Sequence, residues 1–150
     1  MLYTQSDDTY IIRFEAGEVF PDRFLEFLTS KGVAGGSFTA IGAMKHARIA
    51  FFDVEAKEYR DQEIARQAEV LALIGNVAIH EGERIVHAHI TLGLSDYSVV
   101  GGHLREGVVR PTLEVILTVT SVGDAEDGAA LRRKVDPQFG LPSLDLEHRF

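Results

Sequence analysis

The sequence predicts an α+β fold in which a mostly antiparallel sheet carries one main helix. Short runs of β-branched and aromatic residues recur along most of the chain, whereas only residues 21–32 space their apolar side chains as a helix does. The chain has 150 residues and is 45% hydrophobic, which is enough to form one core. We therefore expect one compact domain over residues 1–150, with a single helix beside many strands.

The helix is predicted between two strands of the N-terminal part. Residues 10–15 form a short β-branched and aromatic run that is typical of a strand. A helix is expected over residues 21–32, because a proline in the first turn and a closing glycine flank apolar residues at helical spacing. Those apolar residues are Phe24, Phe27 and Leu28. Glycines within residues 33–43 indicate a strand with bulges or close backbone approaches.

The rest of the chain is predicted to be mostly β. Five segments are strand candidates: residues 47–54, 59–66, 68–79, 85–92 and 113–120. Gly75 and Asn76 are expected to bend or break the third of them, and residues 81–84 to form a turn. Gly101 and Gly102 are expected to form a turn, although close approach of the backbone to a ligand or another subunit would also require glycine there.

Charge and composition disfavour or exclude several classes of protein. The 15 basic and 23 acidic residues give a net charge of -8, and a protein that depends on phosphate contacts usually carries a basic stripe. DNA binding by this chain alone is therefore disfavoured. The chain has no cysteine, which rules out disulfides and thiolate metal sites. No signal-peptide pattern and no apolar run of roughly 18–20 residues is visible, so the expectation is a soluble cytoplasmic protein with no membrane contact.

Three of the six histidines give the most specific indication of a functional site in the sequence. His87 and His89 lie in a predicted strand, whose period of two places both imidazoles on one face. His103 follows two glycines, and a hairpin return would bring it alongside. Three imidazoles can bind a divalent metal, for which zinc is the best fit, and they leave a tetrahedral ion one open position. In the alternative interpretation, the three side chains lie on strand surfaces and in a turn and never meet.

Other polar residues have two interpretations each. Glu69 and Glu114 interrupt apolar strands, so each either faces solvent or lies beside the histidines as a ligand, a hydrogen-bond partner or a general base. His80, just before a predicted turn, is a candidate fourth imidazole, whereas His46 is expected to be structural or exposed and His148, in the tail, to have no specific role.

Two arginines near the third histidine, Arg105 and Arg110, either bind an anionic ligand or are isolated surface residues. The sequence contains no phosphate-binding P-loop, no Gly-x-Gly-x-x-Gly after a strand, and no spacing that suggests a serine triad.

An ordered set of segments resembles the plants-and-prokaryotes conserved (PPC) domain family over roughly the whole chain. The main segments are residues 69–77, 87–92, 101–104 and 112–115, and residues 13–18 and 41–43 resemble the family's N-terminal half. The resemblance implies a compact α+β fold, assembly as a homotrimer, and a DNA-binding or regulatory role. It also implies a metal site, since His87, His89 and His103 match the His-x-His and Gly-Gly-His segments of prokaryotic members one for one.

Plant members of the family carry an added DNA-binding segment that is absent here. That segment is an Arg-Gly-Arg-Pro type AT-hook, and this chain contains neither the motif nor a basic extension. Residues 66–71 retain only the Glu-apolar-Leu end of a plant partner-binding segment, so the partner role is not carried over. Three functions therefore remain open: a DNA-associated regulator, a metal-dependent enzyme acting on a small molecule, and a non-catalytic module stabilised by metal. The sequence does not decide whether the protein is an enzyme.

Overall fold

The computed structural model describes residues 1–123 and 130–147. Within these ranges the chain forms ten β-strands and one α-helix. In chain order they are β1 (Leu2–Ser6), β2 (Thr9–Glu15), β3 (Val19–Phe20), α1 (Asp22–Ser30), β4 (Val33–Asp53), β5 (Glu58–Ile64), β6 (Ala68–His80), β7 (Glu83–Gly93), β8 (Val99–Val122), β9 (Arg133–Val135) and β10 (Pro142–Leu144).

The predicted antiparallel sheet with one main helix is confirmed, but the fold is mostly β rather than a balanced α+β arrangement. The helix has only 9 residues, whereas β4 has 21 and β8 has 24. Each of these two long strands contains segments that the sequence predicts as separate elements. Residues 33–43 and 47–54 belong to β4, apart from residue 54, and the double glycine and residues 113–120 both lie in β8.

Four strands close the main sheet into a ring. β4 pairs with β6, β6 with β7, β7 with β8, and β8 returns to β4, in every case antiparallel. The sheet can close because its long strands bend. The first part of β4 lies between β6 and β8, whereas its last part lies between β5 and β8. Several register shifts along the β4–β8 pairing indicate the bulges that bend the strands. β2 and then β1 extend the sheet beside the C-terminal part of β8.

The predicted break at Gly75 and the predicted turn at Gly101 and Gly102 are wrong, because the backbone of a neighbouring strand leaves no space for a side chain at these positions. Gly75 lies inside β6, where an added Cβ would come within 2.5 Å of the Phe38 ring and of the His87 carbonyl oxygen. Gly101 and Gly102 lie inside β8, where added Cβ atoms would come within 2.7 Å of carbonyl oxygens on β7 and β4. Glycine therefore serves close strand packing at these positions and does not end the strands.

Aromatic side chains fill the core beneath the helix. Phe24, Phe27 and Leu28 are the buried face of α1, as predicted from their spacing. The ring of Phe24 lies 5.0 Å from that of Phe38 and 5.3 Å from that of Phe20. Burial of each such side chain contributes roughly 1.5–3 kcal/mol to stability. In the described part of the chain, no helix has the length and apolar character needed to cross a membrane.

The C-terminal segment packs against the end of β6. β9 and β10 form a separate two-stranded antiparallel sheet. The residues just before β9 attach it to Ile79 of β6. The amide of Ile79 donates to the Leu131 carbonyl at 2.7 Å, and Ile79 forms an isolated parallel bridge with Arg132. This attachment places β9 beside β6 and brings Arg133 within reach of His87 on β7.

Candidate metal centre

The pairing of β7 with its neighbours builds the histidine cluster. His87 and His89 project from the same face of β7, where they lie opposite Asn76 and Ile74 of β6. On the other side of β7, His89 lies directly opposite His103 of β8. The three histidines therefore converge within one chain and lie on regular strands, and no loop carries any of them.

The three imidazoles are close enough to share one metal ion. One ring nitrogen from each histidine lies within 4.8 Å of those of the other two. The ring centroids are 5.1–5.7 Å apart. Zinc at about 2.0–2.1 Å from each of three tetrahedral ligands would hold the nitrogens roughly 3.3 Å apart, which modest side-chain rotation can reach.

The surroundings favour neutral imidazoles. Burial, together with the neighbouring His87 and Arg105, lowers the pKa of His103 to about 4. Burial also lowers the pKa of His87, with a further contribution from Arg133. Neutral imidazole is the form that binds metal, so no proton has to be removed from these two residues near pH 7.

One nitrogen of the cluster lacks a hydrogen-bond partner. Nδ1 of His103 is buried and makes no hydrogen bond, which is uncommon for a polar atom away from water. A bound metal at the cluster would lock this ring in one orientation and tautomer. The donor set and this unsatisfied atom together fit a divalent ion.

The cluster opens into a cleft of about 610 Å³ with mainly apolar walls. The residues lining it outside the cluster are Ala50, Phe51, Phe52, Tyr59, Ile85, Val86, Gly102, Arg105, Arg133, Leu141 and Pro142. The Tyr59 ring lies 5.2 Å from that of His103, and the Arg105 guanidinium stacks 4.2 Å from the Tyr59 centroid. Arg105 also donates to Asp61 at 3.3 Å. The cleft thus combines apolar walls with the basic side chains of Arg105 and Arg133.

Arg133 reaches the cluster from β9, a contact that the sequence pattern does not predict. Its Nη2 atom lies 3.0 Å from Nδ1 of His87 and 2.9 Å from Oδ1 of Asn76. Its Nη1 atom donates to the Pro142 carbonyl at 2.6 Å. A single arginine in a segment without clear periodicity gives no signal in the sequence, so only the structure could reveal this contact.

The acidic candidates lie away from the histidines. Glu69 is exposed and lies opposite Ala43 and Gly93, and Glu114 is exposed and lies opposite Arg13. Neither belongs to the cluster, so the alternative of a glutamate beside the imidazoles is wrong. Both face solvent, as strand alternation indicates.

The remaining candidates also lie outside the cluster. His46 is in the middle of β4 rather than near a turn, and Nδ1 of His80 contacts the carbonyl oxygen of Arg133 at 3.1 Å. His148 lies outside the described residues. Arg105 lines the cleft, whereas Arg110 is exposed elsewhere on β8.

The fold and the histidine cluster together define this chain as a small protein built on a closed β-sheet, with a candidate metal centre on its outer face. The family model of the Plants and Prokaryotes Conserved (PCC) domain matches residues 1–121. The chain belongs to this family, which confirms the resemblance found in the sequence.

Solved structures of prokaryotic proteins share the fold over nearly the whole chain. A putative DNA-binding protein from Bacteroides thetaiotaomicron is 28% identical, with a TM-score of 0.88 and 97% of each chain covered. A metal-containing protein from Archaeoglobus fulgidus is 30% identical, with a TM-score of 0.82, covering 96% of this chain and 98% of the other. A plant- and prokaryote-conserved protein from Pyrococcus horikoshii is 29% identical, with a TM-score of 0.80, covering 96% and 94%. No curated protein matches the chain.

Proposed function

We propose that this protein binds a divalent metal ion, best satisfied by zinc, through His87, His89 and His103, and that the ion holds a small molecule in the adjoining cleft. The observation that carries the proposal is the convergence of three imidazole nitrogens within 4.8 Å. The metal-containing relative from Archaeoglobus fulgidus supports it. Three imidazoles suit zinc better than the hard cations magnesium and calcium, which prefer oxygen ligands.

The metal ion and the residues that line the cleft would have different roles in such a site. A bound ion would supply Lewis acidity and one open coordination position. Phe52, Ile85 and Leu141 would exclude water from the ligand, and Tyr59 would orient the His103 ring by packing beside it. The open position and the cleft favour ligand binding over a purely structural ion, whose coordination sphere would be closed.

A catalytic role would need a proton acceptor near the ion, and Asp61 is a carboxylate close enough to His103 to oppose the lowering of its pKa. It already accepts from Arg105 at 3.3 Å and from Arg48 at 2.9 Å. These two guanidinium groups lower the pKa of Asp61, which burial alone would raise. The arrangement holds Asp61 as an ion-pair partner and favours metal-assisted binding over general-base catalysis.

Calorimetric titration of zinc into metal-free protein tests the proposal. We expect one zinc per chain for the wild type and loss of binding in His89→Ala. His46→Ala is the matched control, because this histidine lies on β4 outside the cluster, and it should bind as the wild type does. Equal binding by wild type and His89→Ala would contradict the proposal.

DNA binding is the second candidate function, and it is favoured by the relative from Bacteroides thetaiotaomicron that is called a putative DNA-binding protein. The net charge of -8 opposes it, since binding to the phosphate backbone requires basic side chains. Fluorescence anisotropy with duplex DNA at low and at physiological salt decides the question. Tight, salt-sensitive binding would establish this function, and no binding at low salt would remove it.

We also propose that the chain assembles as a homotrimer through an exposed apolar face. Ile11, Ile116, Thr39 and Ile74 lie in one row across β2, β8, β4 and β6, because each is paired with the next. The three isoleucines are 52–60% exposed, and contiguous apolar surface of this kind usually marks an interface. Sedimentation equilibrium should give a trimer mass, and Ile74→Asp should weaken the assembly. A stable monomer at micromolar concentration would contradict the proposal.

The domain is proposed to extend over residues 1–150, beyond the 121 residues that the family model matches. The hydrogen bond between Ile79 and Leu131 and the contacts of Arg133 support this extension. Limited proteolysis should leave residues 130–147 attached and protected. Rapid release of that segment from an intact remainder would contradict the proposal.

A further inference from the structure

The contact between Arg133 and His87 determines which nitrogen of the His87 ring carries the proton. A guanidinium group carries only hydrogen-bond donors, so Nδ1 of His87 must be the acceptor in the 3.0 Å contact with Nη2 of Arg133. The neutral ring then carries its one proton on Nε2. His87 therefore has no nitrogen free for a metal while Arg133 occupies Nδ1.

Metal binding is incompatible with this contact, whichever ring nitrogen takes the ion. If the ion binds Nδ1, it displaces the guanidinium directly. If the ion binds Nε2, the ring proton moves to Nδ1, and two donors then face each other across 3.0 Å. Repulsion between the guanidinium charge and a divalent cation adds to both cases.

The Arg133 guanidinium lacks the carboxylate partner that a half-buried arginine usually has. No carboxylate within residues 1–123 and 130–147 forms an ion pair with it, and its Nε atom is buried without a hydrogen-bond partner. Desolvation lowers the pKa of Arg133, and no carboxylate opposes this shift. Arginine presents a planar fork of donors that matches a carboxylate or phosphate.

We propose that Arg133 and a metal ion compete for His87, so that metal loading releases the guanidinium to bind the anionic group of a ligand in the cleft. This inference rests on the proposed metal site. The ligand class that fits is a small molecule with a carboxylate or similar planar anion and an apolar body. The anion would lie at Arg133, and the apolar body would lie against Phe52, Ile85 and Leu141.

Zinc titration of a charge-removing variant tests the competition. Arg133→Met should bind zinc roughly tenfold more tightly than the wild type, because it loses a charged hydrogen bond that the ion must break. Arg13→Met is the matched control, since Arg13 lies on β2 and pairs with Glu15, and it should leave zinc affinity unchanged. If wild type and Arg133→Met bind zinc equally, the metal site stands and the competition is overturned. If neither binds zinc, the metal site and the competition both fail.

A measurement on the wild type needs no substitution. The side-chain Nε–H signal of Arg133 in a ¹⁵N NMR spectrum should shift when zinc is added, because the guanidinium loses its contact with His87. An unchanged signal in protein that has bound zinc would overturn the release of Arg133.

Benzoate is the probe for the anion site, and benzamide is its uncharged control. Zinc-loaded wild type should bind benzoate roughly tenfold more tightly than zinc-loaded Arg133→Met, since only the wild type supplies the guanidinium. Benzamide should bind the two proteins equally. Equal benzoate affinity in the two proteins would overturn the anion role of Arg133 and would leave the metal site intact.

Discussion

His89 on β7 and His103 on β8 lie directly opposite each other in an antiparallel pair, with ring centroids 5.7 Å apart. Their separation is thus set by hydrogen bonding between two strands of a closed sheet. Sites built on regular elements hold their geometry better than sites on loops. Because His103 also lies opposite Ala50 of β4, changes to the pairing of β8 with either neighbour should affect both stability and the cluster.

Substitution of Gly102 tests this dependence. A Cβ at this position would come within 2.7 Å of the Ala50 carbonyl oxygen, so β8 would have to move away from β4. We expect Gly102→Ala to lower the free energy of unfolding by about 1–3 kcal/mol, measured by urea denaturation, and to weaken zinc binding.

The matched control is Gly93→Ala. Its added Cβ would approach only the end of the Leu71 side chain, at 3.2 Å, and a flexible side chain can move. This variant should stay within about 0.5 kcal/mol of the wild type. Equal destabilisation by the two substitutions would show that strand spacing at Gly102 is not critical.

The stability of the metal-free protein should fall as the pH decreases from 6.5 to 4. The pKa of His103 is about 4 in the folded protein, against 6.5 for the ordinary residue, so the unfolded chain takes up a proton first. Protonation then favours the unfolded state, and the loss due to His103 should be about 1 kcal/mol between pH 7 and pH 5, allowing for solvent screening.

Comparison with a variant isolates this contribution from that of the carboxyl groups. Urea denaturation of wild type and His103→Gln in the presence of a chelator should show a smaller decline for the variant over this pH range. Parallel curves for the two proteins would contradict the depressed pKa of His103.

Truncation of Phe24 should strongly destabilise the fold. Its side chain is fully buried and packs on Phe14, Phe20 and Phe38, so Phe24→Ala should cost about 3–5 kcal/mol in urea denaturation. Tyr97→Ala is the control, because Tyr97 is 94% exposed, and it should change stability by less than about 0.5 kcal/mol. A small effect at Phe24 would mean that the helix is not fixed by this aromatic cluster.

Strand alternation could be predicted from local sequence, but the function of the glycines could not. The alternation of residues 85–92 correctly places His87 and His89 on one face of β7. The sequence predicts a bend or break at Gly75 and a turn at Gly102, because a turn and a crowded strand position both favour a residue without a side chain. Only the neighbouring strand distinguishes the two cases.

The contacts of Arg133 could not be predicted either, because they depend on tertiary structure. Arg133 lies 46 residues from His87 and 57 from Asn76 in the sequence. It reaches both because β9 follows the attachment of residues 131 and 132 to Ile79. The family resemblance indicated the three histidines but gave no indication of this fourth side chain.

The most direct test of the metal centre is the zinc content of tag-free protein after incubation with zinc and desalting. A variant with His87→Ala, His89→Ala and His103→Ala is measured in parallel. The account predicts one zinc per chain in the wild type and none in the triple variant. Equal zinc content in the two proteins, or no zinc in the wild type, would contradict the proposed site.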